Sequence, residues 1–302
     1  MKLCLVGCGR WGKAYLKTIE NINSMSINWI VLRKSIPEIK ENYNLVFDLD
    51  KLLKKEKIDG VIIVTPPETH FKLAKICLKH QVPVLIEKPF TESFEQSRLL
   101  KDEFDKYKLT CVVGFQQLFC KKYKLLKKKI PIFGEIKNIH SISISNGPFR
   151  KNVSVIRDWG SHEVALAIDL FEDFPKSIKI RKSNENFTNR YKGLYNLQMQ
   201  FSGKRQFNSF FGNQSEIKKK QLIIEYDDGL IFQDNLNQSG NVIISNDKLV
   251  DLKEITKIYS FPLESSLKTF QKKVKNNSYF TNLELSINVN KVLDQLENKL
   301  LN

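Results

Sequence analysis

Histidine and cysteine are scarce in this 302-residue chain, with four and five copies. The cysteines, Cys4, Cys8, Cys77, Cys111 and Cys120, are odd in number and form no CxxC pair. That speaks against a disulfide framework, and without clustered Cys/His spacing no metal site is expected. Arginine is rare as well: 8 of the 49 basic residues, the other 41 being lysine. A nucleic-acid surface would carry arginines interleaved with aromatics. The formal charge of +16 therefore reads as lysine-filled surface, and no nucleic-acid partner is expected. No apolar run is long enough to span a bilayer. The opening Met1-Lys2-Leu3-Cys4-Leu5-Val6-Gly7 enters a strand and a glycine turn and lacks the parts of a signal peptide. The expectation is a cytoplasmic protein with no membrane partner.

Acidic residues are outnumbered unevenly. Residues 1–118 hold 19 basic and 14 acidic side chains, and residues 119–302 hold 30 and 19. The more basic second part would steer an anionic small substrate. A lysine coat serving only solubility explains the charge equally well.

Strand and helix signals alternate through residues 1–118. Strands are expected at Lys2–Val6, 28–32, 45–47, 60–64, 82–86 and 110–113, with helices at 12–22, 49–57, 68–80 and 92–107. The run Gly60-Val61-Ile62-Ile63-Val64 is apolar throughout, as a strand covered on both faces must be. Alternation at this spacing predicts a Rossmann-type, doubly wound parallel sheet. The rhythm then changes. Helices are expected at 118–129, 158–171, 263–274 and 281–301. Strands are expected at 136–145, 177–181, 191–201, 206–211, 222–226, 230–233 and 242–244. Short connections such as Ser202-Gly203 favour antiparallel hairpins. The reading is α/β: a dinucleotide-binding domain over 1–118, then an α+β substrate and oligomerisation domain over 119–302. The second domain has helices on one face of a mainly antiparallel sheet, and the last helix is a candidate to pack back on the first domain.

Four motifs carry chemistry. Gly7-Cys8-Gly9-Arg10-Trp11-Gly12 fits GxGxxG directly after the first strand and opens a helix. Gly7 permits the turn, Gly9 lets backbone approach a pyrophosphate, and Gly12 lets helix pack on strand. The end of the second strand usually supplies an acid for the ribose 2′-hydroxyl. Here it reads Leu32-Arg33-Lys34, two cations suited to a 2′-phosphate, so NADP is favoured over NAD. Thr65-Pro66 and His70 follow the fourth strand, and Glu87-Lys88-Pro89 follows the fifth. Both lie at the carboxyl edge where such sheets bind ligands. Lys88 there can stabilise an alkoxide-like oxygen. Asp158-Trp159-Gly160-Ser161-His162 opens a helix of the second domain and sets Asp158 and His162 one turn apart. Histidine titrates near neutrality, as a general acid/base must. The competing reading makes Asp158 an N-cap and His162 a satisfied core residue. Arg150 and Arg157, which precede it, are candidate anion ligands.

In this order the motifs resemble those of the Gfo/Idh/MocA oxidoreductase family: Gly7 to Gly12, Thr65-Pro66 with His70, Glu87-Lys88-Pro89, Gly114-Phe115, and Asp158 with Gly160 and His162. Phe261-Pro262-Leu263 before a helix adds to the likeness, which spans nearly the whole chain. The resemblance implies a Rossmann domain, an open-faced sheet domain, and homodimers or homotetramers joined through that sheet. It implies hydride transfer between a nicotinamide and a hydroxyl or keto carbon of a sugar, cyclitol or nucleotide sugar. Lys88 would contact the reacting hydroxyl, His162 would act as general acid/base, Asp158 would assist, and the Lys88–Pro89 bond would be cis. The cofactor set would be Gly7, Gly9, Arg10, Trp11, Gly12, Arg33, Lys34, Thr65, Pro66, His70, Glu87 and Lys88. The substrate set would be Lys88, Arg150, Arg157, Asp158 and His162. The chain departs from the pattern at Arg33, where an acid is usual, and at Glu163, where an aspartate often follows the histidine. A non-catalytic NAD(P)-binding regulator on the same fold is the alternative.

Overall fold

β-Branched runs buried on both faces build the first sheet. The computed structural model describes residues 1–33, 43–150, 152–183, 189–227, 229–234, 242–245 and 261–301. By packing, the chain divides into two units: Met1–Gln116 with Leu263–Asn290, and Gln117–Pro262 with Lys291–Asn302.

In the first unit the elements run β1 (Lys2–Val6), α1 (Arg10–Glu20), β2 (Ser26–Val31), β3 (Asn44–Val46), α2 (Leu49–Lys55) and β4 (Gly60–Ile63). They continue with α3 (His70–Lys79), β5 (Val84–Ile86), α4 (Phe94–Lys106) and β6 (Cys111–Val113). All six strands are parallel, in the order β3-β2-β1-β4-β5-β6. The order reverses beside β1, which makes the β1/β4 edge the switch point of a doubly wound sheet. Leu3, Cys4 and Leu5 of β1, and Val61, Ile62 and Ile63 of β4, are fully buried. This dry setting pushes the Cys4 thiol up to about 12, so it packs as a small apolar group.

The chain returns to this unit after a long excursion, through α8 (Pro262–Lys275) and the first part of α9 (Leu283–Leu301). Asn282 brackets Val113 with two hydrogen bonds, donating to its carbonyl at 2.9 Å and accepting from its N–H at 2.8 Å. Asn290, 1% exposed, donates to Ser97 Oγ at 2.6 Å and to Thr91 Oγ1 at 3.1 Å.

α5 (Gln116–Phe119) begins on the last residue of the first unit; in the second unit α6 (Lys121–Lys129) precedes β7 (Ile136–Asn146). A helical segment then ends in α7 (Ser161–Phe171). It is followed by β8 (Ser177–Lys182), β9 (Leu194–Gln200), β10 (Gln206–Gly212), β11 (Gln214–Tyr226), β12 (Gly229–Asp234) and β13 (Val242–Ser245). The sheet order is β13-β12-β11-β7-β10-β9-β8. Every pairing is antiparallel except β7 with β10, which is parallel, so the sheet is mixed though mainly antiparallel. α7 packs on one face, where Ile139, Leu197, Phe207, Phe211 and Ile224 are at most 1% exposed. The other face presents His140, Ile142, Phe210, Ile223 and Phe232, all half-buried. Among the described residues no helix is long and apolar enough to cross a membrane.

Candidate functional site

Backbone geometry makes the turn between β1 and α1 a cradle. Gly7 has a φ of 93°, and a Cβ there would lie 2.8 Å from the Val64 carbonyl oxygen. A Cβ at Gly12 would lie 2.4 Å from the Gly7 carbonyl oxygen, so only glycine lets the helix start this close to the strand. Gly9 is the opposite case: a Cβ there meets no atom within 4 Å. It is the N-cap of α1, has no side-chain cap, and no acid stands in the first turn. An uncapped N-terminus facing open space suits an anion, so these residues fit the pyrophosphate of a dinucleotide. Arg10 and Trp11 are exposed on the same turn.

Arg33 is exposed just past β2, where the Leu32 N–H donates to the Val46 carbonyl at 2.9 Å. Lys34 lies outside the described residues. Thr65 and Pro66 are half-buried beyond β4, and Thr69 Oγ1 donates to the Pro66 carbonyl at 2.7 Å. His70 is fully buried at the start of α3. Its Nδ1 stands 2.9 Å from the Pro89 oxygen and its Nε2 stands 2.8 Å from the Thr65 oxygen. Burial holds the imidazole below its ordinary pKa, against the upward pull of the Thr65 and Pro89 oxygens that its two ring nitrogens reach.

Past β5, Lys88 is 9% exposed and its bond to Pro89 is cis. Glu87, 6% exposed, turns into the domain. Its Oε1 accepts from Tyr15 Oη at 2.7 Å and from Gln116 Nε2 at 2.6 Å, and its Oε2 accepts from the Lys88 N–H at 3.2 Å. Burial pushes the carboxyl up, while the Tyr15 hydrogen bond, the Lys88 charge and Gln116 pull it down. The Tyr15 phenol is driven well above its ordinary value by burial and by the neighbouring carboxylate. Sequence reading missed Tyr15 and Gln116 as site residues. Helical spacing marks Tyr15 as a core position, which it is, but spacing does not reveal what a buried hydroxyl meets.

In the second unit, the helix expected from Asp158 begins earlier. Residues Ile156–Gly160 form a π-helical turn leading into α7, so Asp158 is inside the helix and is not its cap. Ser154 serves instead, its Oγ accepting from the Arg157 N–H at 3.2 Å. π-turns of this kind are frequent at functional sites. Asp158 is 8% exposed and pairs with Arg150, whose Nε stands 3.1 Å from Oδ2. Arg150 follows a second cis bond, Gly147–Pro148, which the sequence reading did not anticipate. Arg157 donates from Nε to Glu297 at 2.8 Å and from Nη2 to Asp294 at 2.6 Å, so its charge ties α9 to the π-turn. His162 is half-buried. Glu163 is 3% exposed, faces the sheet and accepts from Ser209 Oγ at 2.8 Å; burial pushes its carboxyl up against the pull of Ser141 and Ser209.

Residues 1–115 match the family model described as an oxidoreductase family with an NAD-binding Rossmann fold, Gfo/Idh/MocA. A 4-carboxy-2-hydroxymuconate-6-semialdehyde dehydrogenase of Sphingobium sp. is 27% identical over 57% of this chain and 58% of its own length. Inositol 2-dehydrogenase 1 of Mycolicibacterium vanbaalenii is 34% identical over 50% of this chain and 45% of its own length. The chain thus spans about half the length of the curated relatives it matches. The whole fold is similar to a solved scyllo-inositol dehydrogenase of Lactobacillus casei with bound NAD(H) and scyllo-inositol. The TM-score is 0.81 at 17% identity, covering 97% of this chain and 94% of that one.

Proposed function

We propose that this chain, whose residues 1–115 match the Gfo/Idh/MocA oxidoreductase family with its NAD-binding Rossmann fold, is an NAD(P)-dependent dehydrogenase or reductase. Its substrate would be a hydroxyl or keto carbon of a cyclitol, sugar or nucleotide sugar. The supporting observation is that one sheet edge carries both an open glycine cradle at Gly9 and a nearly buried lysine, Lys88. When bound, a nicotinamide dinucleotide supplies the hydride donor or acceptor that such chemistry needs. Lys88 stabilises negative charge developing on the substrate oxygen. His162 takes or returns the hydroxyl proton, and Asp158, held by Arg150, sits one turn before it. Arg150 is the candidate ligand for an anionic substituent. Arg157 is left out of that set because Asp294 and Glu297 already answer its charge.

The test is a turnover screen of cyclitols, sugars and nucleotide sugars with NADP⁺ and NAD⁺, read as reduced-nicotinamide absorbance. Oxidation of at least one substrate is expected. Tight cofactor binding with no turnover across the panel favours the regulator reading.

Arg33 is a solvent-facing cation where an acid would repel a 2′-phosphate. NADPH is expected to bind more tightly than NADH in fluorescence titrations, and Arg33→Asp to weaken NADPH by about tenfold while sparing NADH. Tighter NADH binding to the unaltered protein contradicts this preference.

Apolar strand faces of this kind are normally covered by a partner. The half-buried Ile142, Phe210, Ile223 and Phe232 on the face opposite α7 therefore predict a homodimer or homotetramer joined through the second sheet. Light scattering at micromolar concentration is expected to give a multiple of the chain mass, and Phe210→Lys to lower it. A monomer before substitution contradicts the assignment.

A further inference from the structure

Lys88 sits between two residues that are both fastened by side chains from elsewhere in the first unit. Before it, Glu87 is gripped by Tyr15 from α1 and Gln116 from α5. After it, the Pro89 carbonyl meets His70 from α3, which also reaches Thr65. Tyr15 and His70 are fully buried, and Glu87 nearly so. The packing around the carboxylate is close: a Cβ at Gly114 would lie 3.3 Å from Glu87 Oε1. Burying a carboxylate is costly unless donors satisfy it, and here two side chains and a backbone N–H do so. The shared effect of these bonds is to fix the backbone on either side of one lysine.

We propose that Tyr15, Glu87, Gln116 and His70 form a positioning clamp that sets where Lys88 presents its ammonium group. Tyr15 and Gln116 act through Glu87, and His70 acts through the Pro89 carbonyl. The clamp also carries a coupling. Tyr15 is on the helix whose first turn forms the glycine cradle, so the Glu87 bond locks the cradle helix and the Lys88 turn into one frame. The proposal rests on the reading of Lys88 as the contact for the reacting oxygen.

The clamp is tested first without substrate. Tyr15→Phe removes one donor at almost constant volume, and Glu87→Gln keeps the shape while removing the charge. In both variants, checked for folding by circular dichroism, acetic anhydride labelling of Lys88 is measured by mass spectrometry against the exposed Lys54. Labelling of Lys88 is expected to rise about fivefold, the scale of one lost hydrogen bond. Unchanged Lys88 labelling in both folded variants overturns the clamp.

The second readout uses a substrate from the turnover screen. Tyr15→Phe should lower kcat more than it raises KM and move the acid limb of the kcat profile to higher pH. The Tyr15 hydrogen bond favours the Glu87 carboxylate, as do Gln116 and the Lys88 charge, which are the other groups facing it. Removing that bond lets Glu87 take up its proton at a higher pH. An unmoved acid limb in a folded variant overturns the proposal. Failure of the dehydrogenase reading looks different: no substrate is turned over, while Lys88 labelling still responds.

Discussion

Replacing Lys88 by methionine, or His162 by alanine, is expected to lower turnover by about 100-fold or more, the usual scale for losing an oxyanion donor or a general acid/base. The loss should fall on kcat and kcat/KM alike, because both groups act on charge and protons that move only in the transition state. The binding of NADPH should change far less than turnover, since neither substitution alters the cradle of Gly7, Gly9 and Gly12. Stability should also hold. His162 is only half-buried, and methionine keeps the packing of the lysine stem. Arg150→Ala gives a graded comparison. It removes the Arg150 ion pair from Asp158, which is 8% exposed, so a smaller loss of turnover is expected together with some loss of stability. Near-normal turnover in Lys88→Met or His162→Ala, with a verified substrate, would falsify the role assigned to that residue.

Gly9→Ala and Gly12→Ala should part company, although both alter the same turn. At Gly12 the new Cβ lands 2.4 Å from the Gly7 carbonyl oxygen, and backbone cannot step aside as a side-chain tip can. Forced overlap of this kind costs about 1–3 kcal/mol even where neighbours yield, so the melting temperature should fall along with cofactor affinity. At Gly9 a Cβ touches nothing within 4 Å, and its φ of −74° suits any residue. Gly9→Ala should therefore fold with an unchanged melting temperature and still lose NADPH affinity by about 100-fold, equivalent to about 2.7 kcal/mol. The methyl group would stand in space that only a ligand uses. Melting curves and NADPH titrations on the two variants provide the comparison. Undiminished NADPH binding by Gly9→Ala would mean that the open space above Gly9 is not where a pyrophosphate lies.

The first unit was legible because its physics is local. A strand buried on both faces has to be apolar throughout, and Val61, Ile62 and Ile63 advertise that without reference to any partner. Strand ends moved by one or two residues, and the short fifth and sixth strands shrank to Val84–Ile86 and Cys111–Val113. The second sheet was only half legible. The first part of β11, Gln214 to Gln221, is polar and reads as loop, because its place in the sheet is set by pairing with β7. The parallel β7–β10 pairing left no trace either, since hairpin signals report only neighbours in sequence. The start of the helical segment was misplaced for a related reason. Asp158 is a good capping residue by type, but Ser154 stands at the position that caps. At the site, glycine spacing and the short edge turns identified the cradle and Lys88. Glu87 and His70 were seen as motif residues, but their direction was not: both point inward, and only the fold brings Tyr15 and Gln116 to meet Glu87. A buried acid such as Glu163, in a helix whose other residues are mostly apolar, likewise needs its hydroxyl partners on other strands to make sense.

The most direct measurement is a single-turnover experiment with the folded protein saturated with NADPH that carries deuterium at the transferable position of the nicotinamide C4. It is mixed in turn with keto forms of cyclitols, sugars and nucleotide sugars. At least one ketone is expected to consume the reduced-nicotinamide absorbance and yield an alcohol with deuterium on its new carbinol carbon, and Lys88→Met to slow this step by about 100-fold. Reduced cofactor that binds tightly yet persists unoxidised with every ketone, in wild type as in Lys88→Met, would contradict the proposed hydride transfer.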